Sequence, residues 1–199
     1  MNRIFKNMAL TVSFLTGAVF MTNLNGCTPH VTFETYSSKD PEINLSMQYI
    51  SGWQFSEHRG SNNSYAQVLF YEKASSEKQM SAIMAVTVRN KKGEKTDDIN
   101  TIVDDLISKR LKFKDAKLES KTHGTVLGAT SVIIDLTYKT LDKLYSTDAK
   151  FVPVKEKIIV ALKENTLYTI RYENAAERFS TYESAFNYIV KTITIKKTQ

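Results

Sequence analysis

The sequence predicts an α+β domain in which an antiparallel β-sheet is flanked by helices. Three observations lead there. Apolar and polar residues alternate over several short stretches, the pattern of half-buried strands. Polar turns join those stretches, so neighbouring strands run antiparallel. Only two stretches repeat their apolar residues at spacings of three and four, the pattern of an amphipathic helix.

The first strand is expected over residues 43–50, where Ile43, Leu45, Met47 and Tyr49 alternate with Asn44, Ser46 and Gln48. Ser51-Gly52 turns the chain, Trp53 and Phe55 follow as bulky anchors, and the polar residues 58–64 read as a loop. Strands are expected over 65–73, with Val68 and Phe70 on one face, and over 81–89, with Ile83, Val86 and Val88.

Thr96 or Asp97 is placed to cap the first helix through a side-chain oxygen, and Asp98 suits the positive end of its dipole. Its apolar face would carry Ile99, Ile102, Val103, Leu106, Ile107 and Leu111, with Lys109, Arg110 and Lys112 at the negative end. A short strand over 116–122 is expected to end in a turn between His123-Gly124 and Gly128. The strand over 130–139 alternates through Val132, Ile134, Leu136 and Tyr138, and residues 141–151 read as a long hairpin loop. Strands over 154–162 and 167–173 form a hairpin across residues 163–166.

Asn174, with Glu177 three residues on, reads as the N-cap of the second helix. Its face would hold Phe179, Tyr182, Phe186, Ile189, Val190 and Ile193, before a short strand over 192–196.

Residues 1–26 read as an export signal. Arg3 and Lys6 make a positive start, and residues 8–21 carry no charge. That run is too short to span a bilayer as a helix, which takes about 20 apolar residues, and it suits the core of a signal peptide. Leu24, Asn25, Gly26 and Cys27 then resemble the lipobox of bacterial lipoproteins, in which the cysteine sulfur takes a lipid and becomes the new N-terminus. Asn25 stands where Ala, Ser or Thr is commoner. Cys27 is the only cysteine in the chain, so no intrachain disulfide is available to an exported domain. Residues 27–41 are expected to be a lipidated tether, and residues 42–199 the domain.

The charge excludes little and suggests little. Of 27 Lys and Arg, two lie in the signal, leaving 25 against 21 acidic residues, a net of +4. The basic residues are dispersed, unlike the gathered charge of a nucleic-acid binder. His30, His58 and His123 have no metal-ligand spacing, and the pairs Asp97–Asp98 and Asp104–Asp105 fit capping and solvation. No Gly-x-Ser-x-Gly elbow, Gly-x-Gly-x-x-Gly run or phosphate loop is present. No cofactor or metal is expected. The tyrosines and phenylalanines suit sheet and core packing.

The order of anchors resembles PsbP-like proteins of the PsbP/DcrB type. Trp53 after Ser51-Gly52 is similar to their Gly-Trp step after the first strand. Gly128-Ala129-Thr130 leading into Ile133-Ile134-Asp135-Leu136-Thr137-Tyr138 is similar to their central strand. Leu167 to Tyr172, followed by Glu177-Arg178-Phe179, Tyr182, Phe186, Ile189-Val190, Thr192-Ile193 and Ile195, resembles their closing strand and helix. The resemblance covers about residues 42–196 and implies an α/β/α sandwich. With the lipobox it implies a non-catalytic, membrane-anchored envelope lipoprotein that is a protein-binding or assembly accessory module and a monomer. A small-ligand or lipid carrier, and a photosystem II accessory protein, are the alternatives. The partner surface is expected at a sheet edge or at residues 141–151.

Overall fold

The strongest alternating segments of the chain form the middle of a seven-stranded antiparallel sheet. A computed structural model describes residues 31–73, 80–90, 98–142 and 149–196. In chain order the elements are β1 (Phe33–Ser37), β2 (Leu45–Ile50), β3 (Gln54–Arg59), β4 (Ala66–Tyr71), β5 (Ile83–Asn90), α1 (Ile99–Arg110), β6 (Lys114–Val126), β7 (Ala129–Leu141), β8 (Phe151–Lys163), β9 (Thr166–Ala175), α2 (Phe179–Thr192) and β10 (Thr194–Ile195). The large sheet has the order β3-β4-β5-β9-β8-β7-β6, and a small one the order β1-β2-β10. Every pairing is antiparallel.

Strand parity separates two cores. Val132, Ile134, Leu136, Ile158 and Val160 meet Val103 and Ile107 of α1. Their neighbours Ile159 and Ala161 face the opposite way, as successive strand residues must. There they join Tyr168, Ile170 and Tyr172 of β9, the inner face of the small sheet, and Phe179, Phe186 and Ile189 of α2. The helices therefore lie on opposite faces of the large sheet, α2 beside the small sheet.

Several expectations need correcting. The single sheet is two, because β2 leaves the large sheet to pair with β1 and β10. Part of the expected tether is structural: residues 33–37 pair with β2, and Tyr36 is buried against Phe55 and Phe70. The expected loop over 58–64 begins later, since His58 and Arg59 still pair with Gln67 and Ala66. The turn expected from His123 to Gly128 shrinks to Leu127-Gly128, both at positive φ (57° and 71°), the geometry of a two-residue hairpin turn. Gly124 instead lies within the ladder, where a Cβ would come within 3.2 Å of Ile133.

Leu111 lies outside the buried face of α1 and is 45% exposed, because α1 ends at Arg110. Asn174 is not an N-cap. It lies at the end of β9, fully buried, and its Nδ2 donates to Arg178 O (3.1 Å) and Tyr172 Oη (3.3 Å). The chain makes a 3-10 turn over Ala176–Arg178 before α2 begins. Thr96 and Asp97 lie outside the described residues, and Asp98 holds the α1 N-cap position without a side-chain cap bond.

Phe186 is 1% exposed and its ring packs 5.5 Å from that of Tyr172. Phe186→Ala should destabilise by about 3–5 kcal/mol, the usual cost of emptying a large aromatic site, read as a lower urea midpoint. Lys139→Ala should cost less than about 1 kcal/mol by the same measurement, because its ion pair with Asp115 is solvent-exposed.

Candidate interaction surface

The lipobox residues Leu24, Asn25, Gly26 and Cys27, and His30, lie outside the described residues. The structure separates His58, on β3, from His123, on β6, at opposite edges of the large sheet. His58 Nε2 lies 2.8 Å from Ser56 Oγ on the exposed side of its strand. Among the described residues, no three His, Cys, Asp or Glu side chains are grouped to hold a metal ion. The acidic residues of α1 pair with lysines: Asp105 with Lys109 (2.6 Å) and Asp104 with Lys121 of β6 (2.7 Å).

The charged groups that sequence reasoning missed gather around one buried carboxylate. Glu156 of β8 is fully buried on the α1 face. Arg110 meets it through Nη2 on Oε1 and Nε beside Oε2, both at 3.0 Å, and Arg171 approaches at 3.5 Å while also reaching Glu173 at 3.4 Å. Burial raises the Glu156 carboxyl above its usual range, against the pull of the Arg110 and Arg171 charges. Burial also raises the Tyr138 hydroxyl, and the carboxylates of Glu173 and Glu156 add to that rise. Two cations and two anions close on one another here, so the group ties the end of α1 to the sheet. One signal was available in the sequence: Glu156 interrupts the inward series Val154, Ile158, Val160.

A second network lies on the other face. Glu72 accepts both bonds of Arg178 Nη2 (2.9 and 3.0 Å) and the Tyr182 hydroxyl (2.8 Å), while Tyr182 packs edge-on to Trp53 at 5.1 Å. It fastens the start of α2 to the end of β4. Burial first, then the Glu72 bond, raises the Tyr182 hydroxyl. A third group joins Lys157 to Glu183 of α2 (2.7 Å) and to Asp135 (3.6 Å), whose carboxylate accepts a bond from Ser120 (2.7 Å).

Two surface features remain. One is β6, thirteen residues long, at the edge of the large sheet and mostly exposed. Register shifts interrupt its first half, between Lys114 and Lys117 and between Leu118 and Ser120, whereas Lys121 to Val126 pair regularly with β7. The other is a cluster of exposed apolar side chains where β6, β7 and β8 meet. Phe113 (43% exposed) leans on Tyr138 at 5.0 Å, Lys114 Nζ lies 4.1 Å above the ring of Phe151 (50% exposed), and Leu141 pairs with Phe151. Residues 143–148 of the expected recognition loop lie outside the described residues. Among the described residues, the larger concavities are open grooves. One of about 550 Å³ runs past Lys117, Thr137, Tyr138, Pro153 and Ala176, and a cleft of about 180 Å³ lies between Val152, Pro153 and Arg178.

No family model matches the chain, and no curated protein matches it in sequence. Solved structures do match. Cyanobacterial PsbP (CyanoP) from Synechocystis superposes with a TM-score of 0.53 at 14% identity, covering 82% of this chain and 92% of that one. A protein of unknown function from Pseudomonas aeruginosa gives 0.53 at 11% identity, over 83% and 99%. LpqN, involved in cell envelope biogenesis of Mycobacterium tuberculosis, gives 0.52 at 12% identity, over 84% and 92%. The fold is PsbP-like, and at these identities the likeness is one of fold.

Glu156→Ala should destabilise by about 1–3 kcal/mol, since it takes the shared carboxylate from two half-buried guanidiniums, whereas Asp105→Ala should cost about 0.5 kcal/mol or less. Urea unfolding of the two variants side by side checks both.

Proposed function

We propose that this chain is a non-catalytic, membrane-anchored envelope lipoprotein whose domain is a protein-binding or assembly accessory module. The observation that carries the binding reading is β6. Its outer main-chain groups have no strand partner among the described residues, and an exposed edge is a template for an added strand. Lysines and register shifts guard Lys114 to Ser120, but Thr122 to Val126 is regular and carries no acid, lysine or arginine. The two-residue turn closes on the Val126–Ala129 pair, so the alternating ladder points the N–H groups of His123 and Thr125 outward.

Support for the anchor comes from the leader and from Cys27 as the sole cysteine. No helix among the described residues is long and apolar enough to cross a membrane. LpqN, which shares the fold, is involved in cell envelope biogenesis by its description. The closed pairing of Glu156 with Arg110 and Arg171 suits a structural role for that charge. The open grooves do not favour a carrier, which calls for an enclosed, mostly apolar chamber.

Two experiments test this reading. In the native host, Cys27→Ser should abolish labelling by a fatty-acid analogue and release the protein from membranes; labelling that persists defeats the lipoprotein reading. A photo-crosslinker at position 123 of the full chain should give one discrete protein adduct in native envelopes. Thr125→Pro, which removes an outward N–H while sparing the β7 ladder, should cut that adduct several-fold with the protein still folded by circular dichroism. An unchanged yield defeats the edge-strand reading.

A further inference from the structure

We propose that the sheet end bearing Phe113, Leu141 and Phe151 is a membrane-contacting surface that rests on anionic lipid. The proposal builds on the anchor reading above, and it stands on where the chain enters the fold.

The register defines one continuous row across the large sheet: Gln54, Tyr71, Ile83, Glu173, Glu156, Leu136 and Leu118 are successive partners. On one side of that row lie the starts of β5, β6 and β8 and the ends of β7 and β9. The N-terminal segment arrives at this same end, because the N–H of Ser51 donates to Thr32 O (2.9 Å) and Val31 and Thr32 share a groove with Trp53 and Glu72. Val31 is four residues from Cys27, a reach of at most ~14 Å. A lipid on Cys27 therefore holds this end against the bilayer. The far turns, at Leu127-Gly128 and Glu164-Asn165, lie the length of β8 away, roughly 40 Å.

The side chains at the near end suit that position. Among the described residues, eight large apolar side chains are exposed. Leu111, Phe113, Leu141 and Phe151 lie beyond the row, Leu118 on it and Phe55 next to it; Tyr65 lies at the far end and Tyr188 on α2. Lys114 lies over the Phe151 ring, and Lys112 and Lys117 are exposed cations close to it in the chain. Acids lie at this end too: Asp115 pairs with Lys139, Asp142 accepts the N–H of Lys150, Glu119 accepts the Thr137 hydroxyl, and Glu177 is exposed; Lys112, Lys114, Lys117, Lys139, Lys150 and Lys155 outnumber these four. Exposed rings with lysines close by match the interface of an anionic bilayer, where rings enter the headgroup boundary and lysines meet lipid charge. A protein partner at this end would compete with the bilayer for the same few ångströms, whereas the regular half of β6 lies farther from it.

The test uses full-length protein from its host, placed in vesicles of phosphatidylcholine with or without phosphatidylglycerol. Cys27 is the only native cysteine, so once it is acylated a Phe151→Cys or Asn165→Cys substitution supplies a single thiol for a fluorophore. Nitroxide lipids should quench the label at 151 several-fold more than that at 165, and more strongly with phosphatidylglycerol present. Equal quenching at the two positions, or stronger quenching at 165, overturns the proposal. So does a label at 151 that is shielded in native envelopes yet not quenched in these vesicles, which would assign the surface to a protein partner. Mass spectrometry of the N-terminal peptide reports the anchor separately. If Cys27 is unmodified, the anchor reading fails. Labels then compared in Cys27→Ser protein on added vesicles still decide the surface by preferential quenching at 151 or its absence.

Discussion

The fold depends on β8 and β9 being buried on both faces. A strand has only two sides, and most antiparallel sheets leave one of them to water. Here Ile158 and Val160 enter the core beneath α1, while Ile159 and Ala161 enter the core shared with α2 and the small sheet. On β9, Leu167 joins the first core and Tyr168, Ile170 and Tyr172 the second. A slip of one residue in this hairpin would exchange the two sets and bring the charged Glu156, Lys157 and Arg171 to the wrong faces. The Lys163–Thr166 pair and its two-residue turn hold the register.

Charge finishes what parity begins. Each helix is tied to the sheet by a paired polar group at one terminus: α1 through Arg110 on Glu156, α2 through Arg178 and Tyr182 on Glu72. Such groups contribute little net stability over an apolar equivalent, but removing one member is costly. Their value is in orientation, since a guanidinium donates to a carboxylate in few geometries. Both anchors lie toward the end of the sheet where residues 31 and 32 enter the fold and brace it, while Arg59 on Asp40 braces the other.

That bracing has a functional reading. A domain held by one lipid at its N-terminus turns about a short tether. Exposed Phe113 and Phe151 beside Lys112 and Lys114 would restrict the turning by giving the bilayer a second hold. The edge of β6 would then stand away from the membrane at a set orientation, which raises the effective concentration of its outward N–H groups for an envelope partner. Location and orientation, more than reactive groups, are what this arrangement offers.

The alternating segments and the two amphipathic periods carried the fold class, the seven strands over residues 43–50, 65–73, 81–89, 116–122, 130–139, 154–162 and 167–173, and both helices, because burial on one face leaves a local trace every two or every three to four residues. A PsbP-like fold was legible too, from the order of anchors between Trp53 and the closing helix, and the fold comparisons bear out the fold. Other features had no local signal. Phe33–Ser37 looks like a tether until β2 supplies its ladder, and Gly124 looks like a turn until Ile133 packs across it. Asn174 looks like a cap until Tyr172 and Arg178 claim its amide. The pairing of Glu156 with Arg110 spans 46 residues, and the placement of Val31, Phe113 and Phe151 toward the same end of the sheet depends on strand order. Sequence by itself determined most of the buried face of each element and led to the expectation of an export signal before Cys27. Only the tertiary structure decided which elements share a face and at which end of the sheet residues 31 and 32 enter, because those relations come from pairing between segments far apart in the chain.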